Sequence, residues 1–89
     1  MANYLLIRHN VRNFSEWKAG YDAHLTKRID AGLSEKYLLQ GGRDPNEVVI
    51  LFETQDVSRA KAFTESADLR ERMQMLGVVG QPDIHFLTG

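Results

Sequence analysis

Residues Val48-Val49-Ile50-Leu51-Phe52 form an unbroken apolar run with the length and β-branched character of a strand. A strand turns successive side chains to opposite faces, so this one is greasy on both. Tyr4-Leu5-Leu6-Ile7 repeats the character near the N-terminus. Two such strands need cover on both sides of their sheet. The helical pattern in the rest of the chain suffices for one side only. The other side is expected to meet a second copy of the same chain.

Working outward, Asn3 to Val11 reads as the first strand, with Leu5, Ile7, His9 and Val11 on one face and Tyr4, Leu6, Arg8 and Asn10 on the other. Asn13 is placed to cap a helix, with Glu16 in the reciprocal position of a capping box. Phe14, Trp17, Tyr21, His24, Leu25, Arg28 and Ile29 recur at helical steps. That spacing predicts one helix to about Asp30, stopped by Ala31-Gly32. Leu33 to Arg43 reads as a second strand, frayed by Gly41-Gly42. The turn Asp44-Pro45-Asn46 then leads into a third strand, Glu47 to Thr54. The two make a hairpin. Gly41-Gly42 beside Arg43 could cradle a phosphate, but a hairpin bend is the simpler reading, since no P-loop spacing surrounds it.

Asp56 caps a second helix holding Val57, Ala60 and Phe63. Ser66 has the character of a fresh N-cap, which predicts a break and a short third segment with Leu69, Met73 and Leu76, ended by Gly77. Gly80-Gln81-Pro82 reads as a loop before a last strand, Asp83 to Thr88, with Ile84 and Phe86 on one side. The order is βαββαβ. Right-handed crossovers place both helical regions on one face of a four-stranded antiparallel sheet, so the expected class is α+β, ferredoxin-like. The first and third strands, apolar on both faces, become central. Their helix-free face carries either Val48, Ile50 and Phe52 or Val49 and Leu51, according to register. A sheet-to-sheet homodimer would bury it.

The 89 residues are expected to form a single domain, 1–89, that buries only about 60–65% of its unfolded surface. A second subunit would thicken so thin a core. The chain is 43% apolar and 26% charged, too apolar for disorder. Its 11 basic and 12 acidic residues give a net charge of −1, which offers no attraction to nucleic acid or a membrane surface. No cysteine is present, so disulfide and thiolate chemistry are excluded. The N-terminal apolar stretch is too short for a signal sequence or a membrane span, and a cytoplasmic location is the expectation.

Of the histidines His9, His24 and His85, no two have metal-ligand spacing, so no metal is expected. His24 shares a stripe with Trp17, Tyr21 and Arg28. These residues either fill the helix–sheet seam or line a ligand cavity. In the second case His24 shuttles a proton and Arg28 holds an enolate or carboxylate. His9, on a central strand, needs a partner if buried, and Tyr21 or Tyr37 could supply one. Arg8 points the other way and needs a countercharge, for which Glu53 has the right sign. Asp68, Arg70, Glu71 and Arg72 alternate in sign and read as a solvated face. Met73 and Met75 read as core filler and rim.

The succession Asn13-Phe14-Ser15-Glu16-Trp17, Asp44-Pro45-Asn46-Glu47-Val48-Val49, Ala62-Phe63…Ser66…Leu69…Met73 and Gly77-Val78-Val79-Gly80-Gln81-Pro82 resembles the dimeric α/β-barrel superfamily. Within it, the chain looks most like small antibiotic-biosynthesis-monooxygenase-like and cyclase-like proteins. The resemblance spans nearly the whole chain, through mostly structural motifs. It implies a homodimer whose sheets close into a barrel, with a cavity between helices and sheet in each subunit. The superfamily includes cofactor-independent quinol monooxygenases, polyketide cyclases, muconolactone isomerases, haem-degrading enzymes and ligand-sensing domains, and the fold alone does not choose among them. The haem-degrading members use a first-strand Asn with a later Trp and His. Here Asn10 is the only Asn in the body of that strand and Trp17 the only Trp, on the first helix, which departs from that set.

Two functions follow as expectations. One is an enzyme that oxygenates or cyclises a hydrophobic, aromatic or polyketide-like molecule without a cofactor. It would use His24, His9 and Arg28, with Trp17, Tyr21, Tyr37 and Phe63 lining the ligand. The other is a non-catalytic ligand-binding or accessory dimer. An RNA-binding module shares the element order, but the aliphatic third strand and the net charge argue against it. An acylphosphatase-like phosphate loop after the first strand is excluded by the glycine-free Asn10-Val11-Arg12-Asn13.

Overall fold

The computed structural model describes residues 1–89. The elements are β1 (Asn3–Val11), α1 (Phe14–Ala23), α2 (Leu25–Asp30), β2 (Leu33–Gln40), β3 (Glu47–Thr54), α3 (Val57–Thr64), α4 (Ala67–Met75) and β4 (Val78–Thr88). The strands run β2-β3-β1-β4, every neighbouring pair antiparallel, so the two greasy strands are central as expected. The helices lie on one face, giving the ferredoxin-like class.

The caps act as the sequence implies, except that the Glu16 side chain makes no reciprocal bond to the Asn13 N–H. The side chains of Asn13, Asp56 and Ser66 accept from the backbone N–H of Glu16, Arg59 and Leu69 at 3.0, 3.2 and 3.2 Å. Each satisfies one of the donors a helix start leaves open. Ser66 separates α3 from α4. The Asp44-Pro45-Asn46 turn closes through Asn46 N–H to Asp44 Oδ1 at 2.9 Å, and Gly41-Gly42 are part of this bend rather than of β2.

Parity places the core. Leu5, Ile7 and Val11 of β1 and Val48, Ile50 and Phe52 of β3 face the helices, packed with Trp17, Tyr21, Leu33 and Ala60. Phe52, Leu5 and Val48 are essentially fully buried, each worth about 1.5–3 kcal/mol. The helix-free face therefore carries Val49 and Leu51, beside Leu6. Tyr37, Leu39 and Leu87 stand exposed on it, and no segment of the chain covers it. No helix is long and apolar enough to cross a membrane.

Four expectations are corrected. The predicted long first helix breaks at His24, whose φ of −100° and ψ of 13° end α1 and start α2, and Leu25 and Ile29 are left exposed. Gly80-Gln81-Pro82 lie inside β4, which begins at Val78. They form a bulge, because Arg8 pairs with Asp83 and Asn10 with Val79, and Gly80 at φ +70° takes a conformation open mainly to glycine. β2 carries its own bulge between Glu35 and Tyr37. This shifts parity, so Glu35 faces the helices while Tyr37, paired with Leu51, lies on the helix-free face. Finally, Arg8 pairs with Glu47 at 2.6 Å and Asp83 at 3.2 Å, not with Glu53. The antiparallel register sets Glu53 opposite Tyr4, too far along the strand, and Lys36 takes Glu53 at 3.0 Å.

Candidate functional site

The helices and the inner face of the sheet enclose one apolar cavity of about 60 Å³. Its floor is Ile7, His9, Ile50 and Phe52 from the two central strands. One wall is Trp17, Tyr21, His24 and Arg28 from the α1–α2 region. The other is Phe63 of α3 with Leu69, Arg72 and Met73 of α4 and Leu76 beyond it. The volume suits about two water molecules, far below that of a drug-sized ligand site. An aromatic molecule enters only if a wall gives. The wall most free to do so is α4, which has no buried residue, whereas α1 buries Trp17 and Tyr21.

An aromatic ladder runs along α1. Phe14 and Trp17 have ring centroids 5.9 Å apart, and Trp17 stacks on Tyr21 at 4.8 Å with planes 26° apart. Helical spacing dictates this succession. His9 meets Trp17 edge-on, centroids 5.3 Å apart. The imidazole is buried, and its Nδ1 is the one buried side-chain polar atom without a hydrogen-bond partner. The partners expected from sequence are absent for specific reasons: the Tyr21 hydroxyl donates to Glu35 at 2.7 Å, and Tyr37 lies on the opposite face of the sheet. Such an orphan costs about 1–3 kcal/mol. Burial lowers the His9 pKa, opposed only in part by its own main chain, so the ring is neutral near pH 7.

His24 sits at the α1–α2 junction, half-exposed at the mouth of the cavity. Desolvation and then the Arg72 charge lower its pKa, while Asp68 pulls the other way. Two neutral imidazoles, one deep and one near solvent, can accept and relay a proton. Tyr21 cannot serve as a base, since burial and the Glu35 hydrogen bond raise its pKa. Arg28 is buried, its guanidinium laid over the Tyr21 ring at 3.6 Å and its Nη1 donating to the Tyr21 carbonyl at 2.6 Å.

The structure thus brings His9, His24, Arg28, Trp17, Tyr21 and Phe63 to one cavity, and leaves Tyr37 outside it. His85, opposite Leu6, belongs to the helix-free face. Sequence reading missed Arg72, assigned to a solvated face. It is exposed yet borders the cavity, because it continues the stripe of Leu69, Met73 and Leu76 along α4. No group of three His, Cys, Asp or Glu side chains is placed to hold a metal. A second, open groove of about 390 Å³ runs between α4 and the β4 bulge. Arg70 is its only charged lining residue, and no histidine reaches it.

No family model and no curated protein sequence matches the chain. Solved structures do. A Bordetella bronchiseptica protein, described provisionally as an antibiotic biosynthesis monooxygenase, superposes with a TM-score of 0.76 at 18% identity, over 100% of this chain and 98% of that one. SnoaB, a cofactor-independent oxygenase from Streptomyces nogalater, gives 0.74 at 12% identity, over 99% and 92%. A conserved protein from Methanosarcina mazei Go1 gives 0.72 at 14%, over 98% and 91%. At these identities the likeness is one of fold: end to end, this chain has the fold of the antibiotic-biosynthesis-monooxygenase-like proteins.

Proposed function

We propose that the chain is a homodimer whose helix–sheet cavity takes a small hydrophobic, aromatic or polyketide-like molecule, and that it acts on that molecule by cofactor-independent oxygenation or cyclisation. The observation that carries this reading is His9, a neutral imidazole with an unpartnered Nδ1, on the floor of a largely apolar cavity. A phenolic or enolic hydroxyl would supply the missing partner. His9 would take the hydroxyl proton, His24 would pass it to solvent, and Arg28 would offset the oxyanion that remains. That electron-rich anion can reduce dioxygen directly or attack a carbonyl elsewhere in the same molecule. Fold likeness to SnoaB supports the first outcome by analogy. The uncovered apolar face with Leu6, Val49 and Leu51 supports the homodimer.

The test uses 1,4-dihydroxynaphthalene in air-saturated, chelator-treated buffer. Protein-dependent oxygen uptake above the spontaneous rate is expected, and His24→Ala is expected to lose it while keeping its mass in solution. Unchanged uptake in that variant would remove His24 from the mechanism. A second reading, a non-catalytic accessory or ligand-binding dimer, is favoured by how far Trp17, Tyr21 and Phe63 already fill the seam. Binding without uptake would select it.

A further inference from the structure

Arg28 is 7% exposed, and no carboxylate lies within ion-pairing distance of it. Its cation–π and hydrogen-bonding partners are the ring and the carbonyl of Tyr21. A guanidinium has five N–H donors; only Nη1 has a protein acceptor here, and the other two nitrogens keep a trace of exposure through which a ligand could reach them. A buried cation without a countercharge is costly to maintain. Arg72, from the opposite wall, borders the same cavity. His24 sits in the field of both arginines and of Lys27, and Asp68 is the one acidic group acting on it. A chain of net charge −1 has therefore gathered two arginines around one largely apolar cavity.

Resting on the ligand-binding reading above, we infer that the ligand is an aromatic carboxylate, its ring in the cavity and its carboxylate between Arg28 and Arg72. The arginine fork matches a carboxylate, and an anion held away from water gains more from it than one in solution. Arg72 is the specificity residue of this arrangement. It stands on α4, the wall that has to move, so anion binding would also draw that wall closed over the ring.

The experiment is calorimetric titration of the full chain with 2-naphthoate and with 2-naphthamide, its neutral near-isostere, in low-chloride buffer at pH 7.5. The naphthoate is expected to bind at least about tenfold more tightly, as a charge-assisted pair implies. Arg72→Gln is expected to shrink that ratio to about threefold or less without weakening the amide. Arg28→Gln is expected to do the same if it folds; if it does not, Arg72→Gln decides alone. Equal affinities, or a ratio untouched by Arg72→Gln, would overturn the inference while leaving an aromatic cavity in place. Binding of neither probe would remove the cavity reading and this inference with it.

Discussion

Arg28 sits over the ring of Tyr21, guanidinium carbon to ring centroid 3.6 Å, while its Nη1 donates to the carbonyl of the same residue at 2.6 Å. The contact joins α1 to α2 across the His24 break, so a single aromatic residue holds both the bend and the buried cation. Tyr21→Phe keeps the ring and loses only the hydrogen bond to Glu35, which predicts a loss of about 1 kcal/mol. Tyr21→Leu removes the surface that shelters the cation and predicts a loss of about 3 kcal/mol. Urea denaturation of both variants measures the difference. Equal losses would show that the stack contributes little.

The strand order, the central position of the two greasy strands and the Ser66 break were legible because local chemistry fixes them: apolar runs, caps and turns act within a few residues. The placement of Tyr37 was not. Simple alternation puts Leu33, Glu35, Tyr37 and Leu39 on one face, and the bulge after Glu35 moves the last two to the other. Nothing in Glu35-Lys36-Tyr37 announces that bulge. Arg8 failed similarly, because its partners depend on the register of β1 against β3 and β4, a long-range quantity. The stripe that brings Arg72 to the cavity could have been read from Leu69, Met73 and Leu76, but the alternating charges around it masked the signal.

His9 makes stability depend on pH with a definite sign. Its pKa in the unfolded chain is near 6.5 and in the folded chain is lower, so below 6.5 the unfolded state binds more protons. Stability is fully present above pH 6.5 and is lost progressively as pH falls toward the folded value. His9→Leu removes both this dependence and the unpartnered Nδ1. The variant is expected to match or exceed the wild type in urea midpoint at pH 7.5, and to lose less than the wild type between pH 7.5 and 5.0. It should also lose oxygen uptake. A variant as pH-sensitive as the wild type would mean that His9 is not the group responsible.

The bare sheet face predicts a solution mass near twice 10.2 kDa by light scattering. Leu51→Glu sets a charge amid Leu6, Val49 and Tyr37 and is expected to yield a monomer at micromolar concentration. A wild-type monomer at that concentration would refute the assembly.

Arg8, placed between Glu47 and Asp83 on that same face, is the only cation there with two carboxylate partners. If two sheets meet, its loss leaves both acids facing the interface without a countercharge. Arg8→Ala is therefore expected to raise the dimer dissociation constant by about tenfold or more, with little effect on the fold. Sedimentation equilibrium reads the constant. An unchanged value would place the network at a wet rim rather than within the contact.

Entry of any ring requires α4 to yield, and Gly20 gives a handle on whether it can. A Cβ at Gly20 would overlap the Cδ2 atom of Leu76, just past the end of α4 on the cavity wall. The atom it meets is the tip of a flexible side chain, so the clash can be relieved by rotating Leu76 or shifting the end of α4. Against that stands a gain of about 1 kcal/mol from replacing glycine with alanine inside a helix. Gly20→Ala is thus expected to change stability by no more than about 1 kcal/mol, yet to alter 2-naphthoate affinity by about threefold, since the displaced side chain borders the cavity. If instead the substitution costs about 3 kcal/mol, the α1–α4 contact is rigid. A rigid wall around 60 Å³ admits no aromatic ligand, and the accessory reading then becomes the better one.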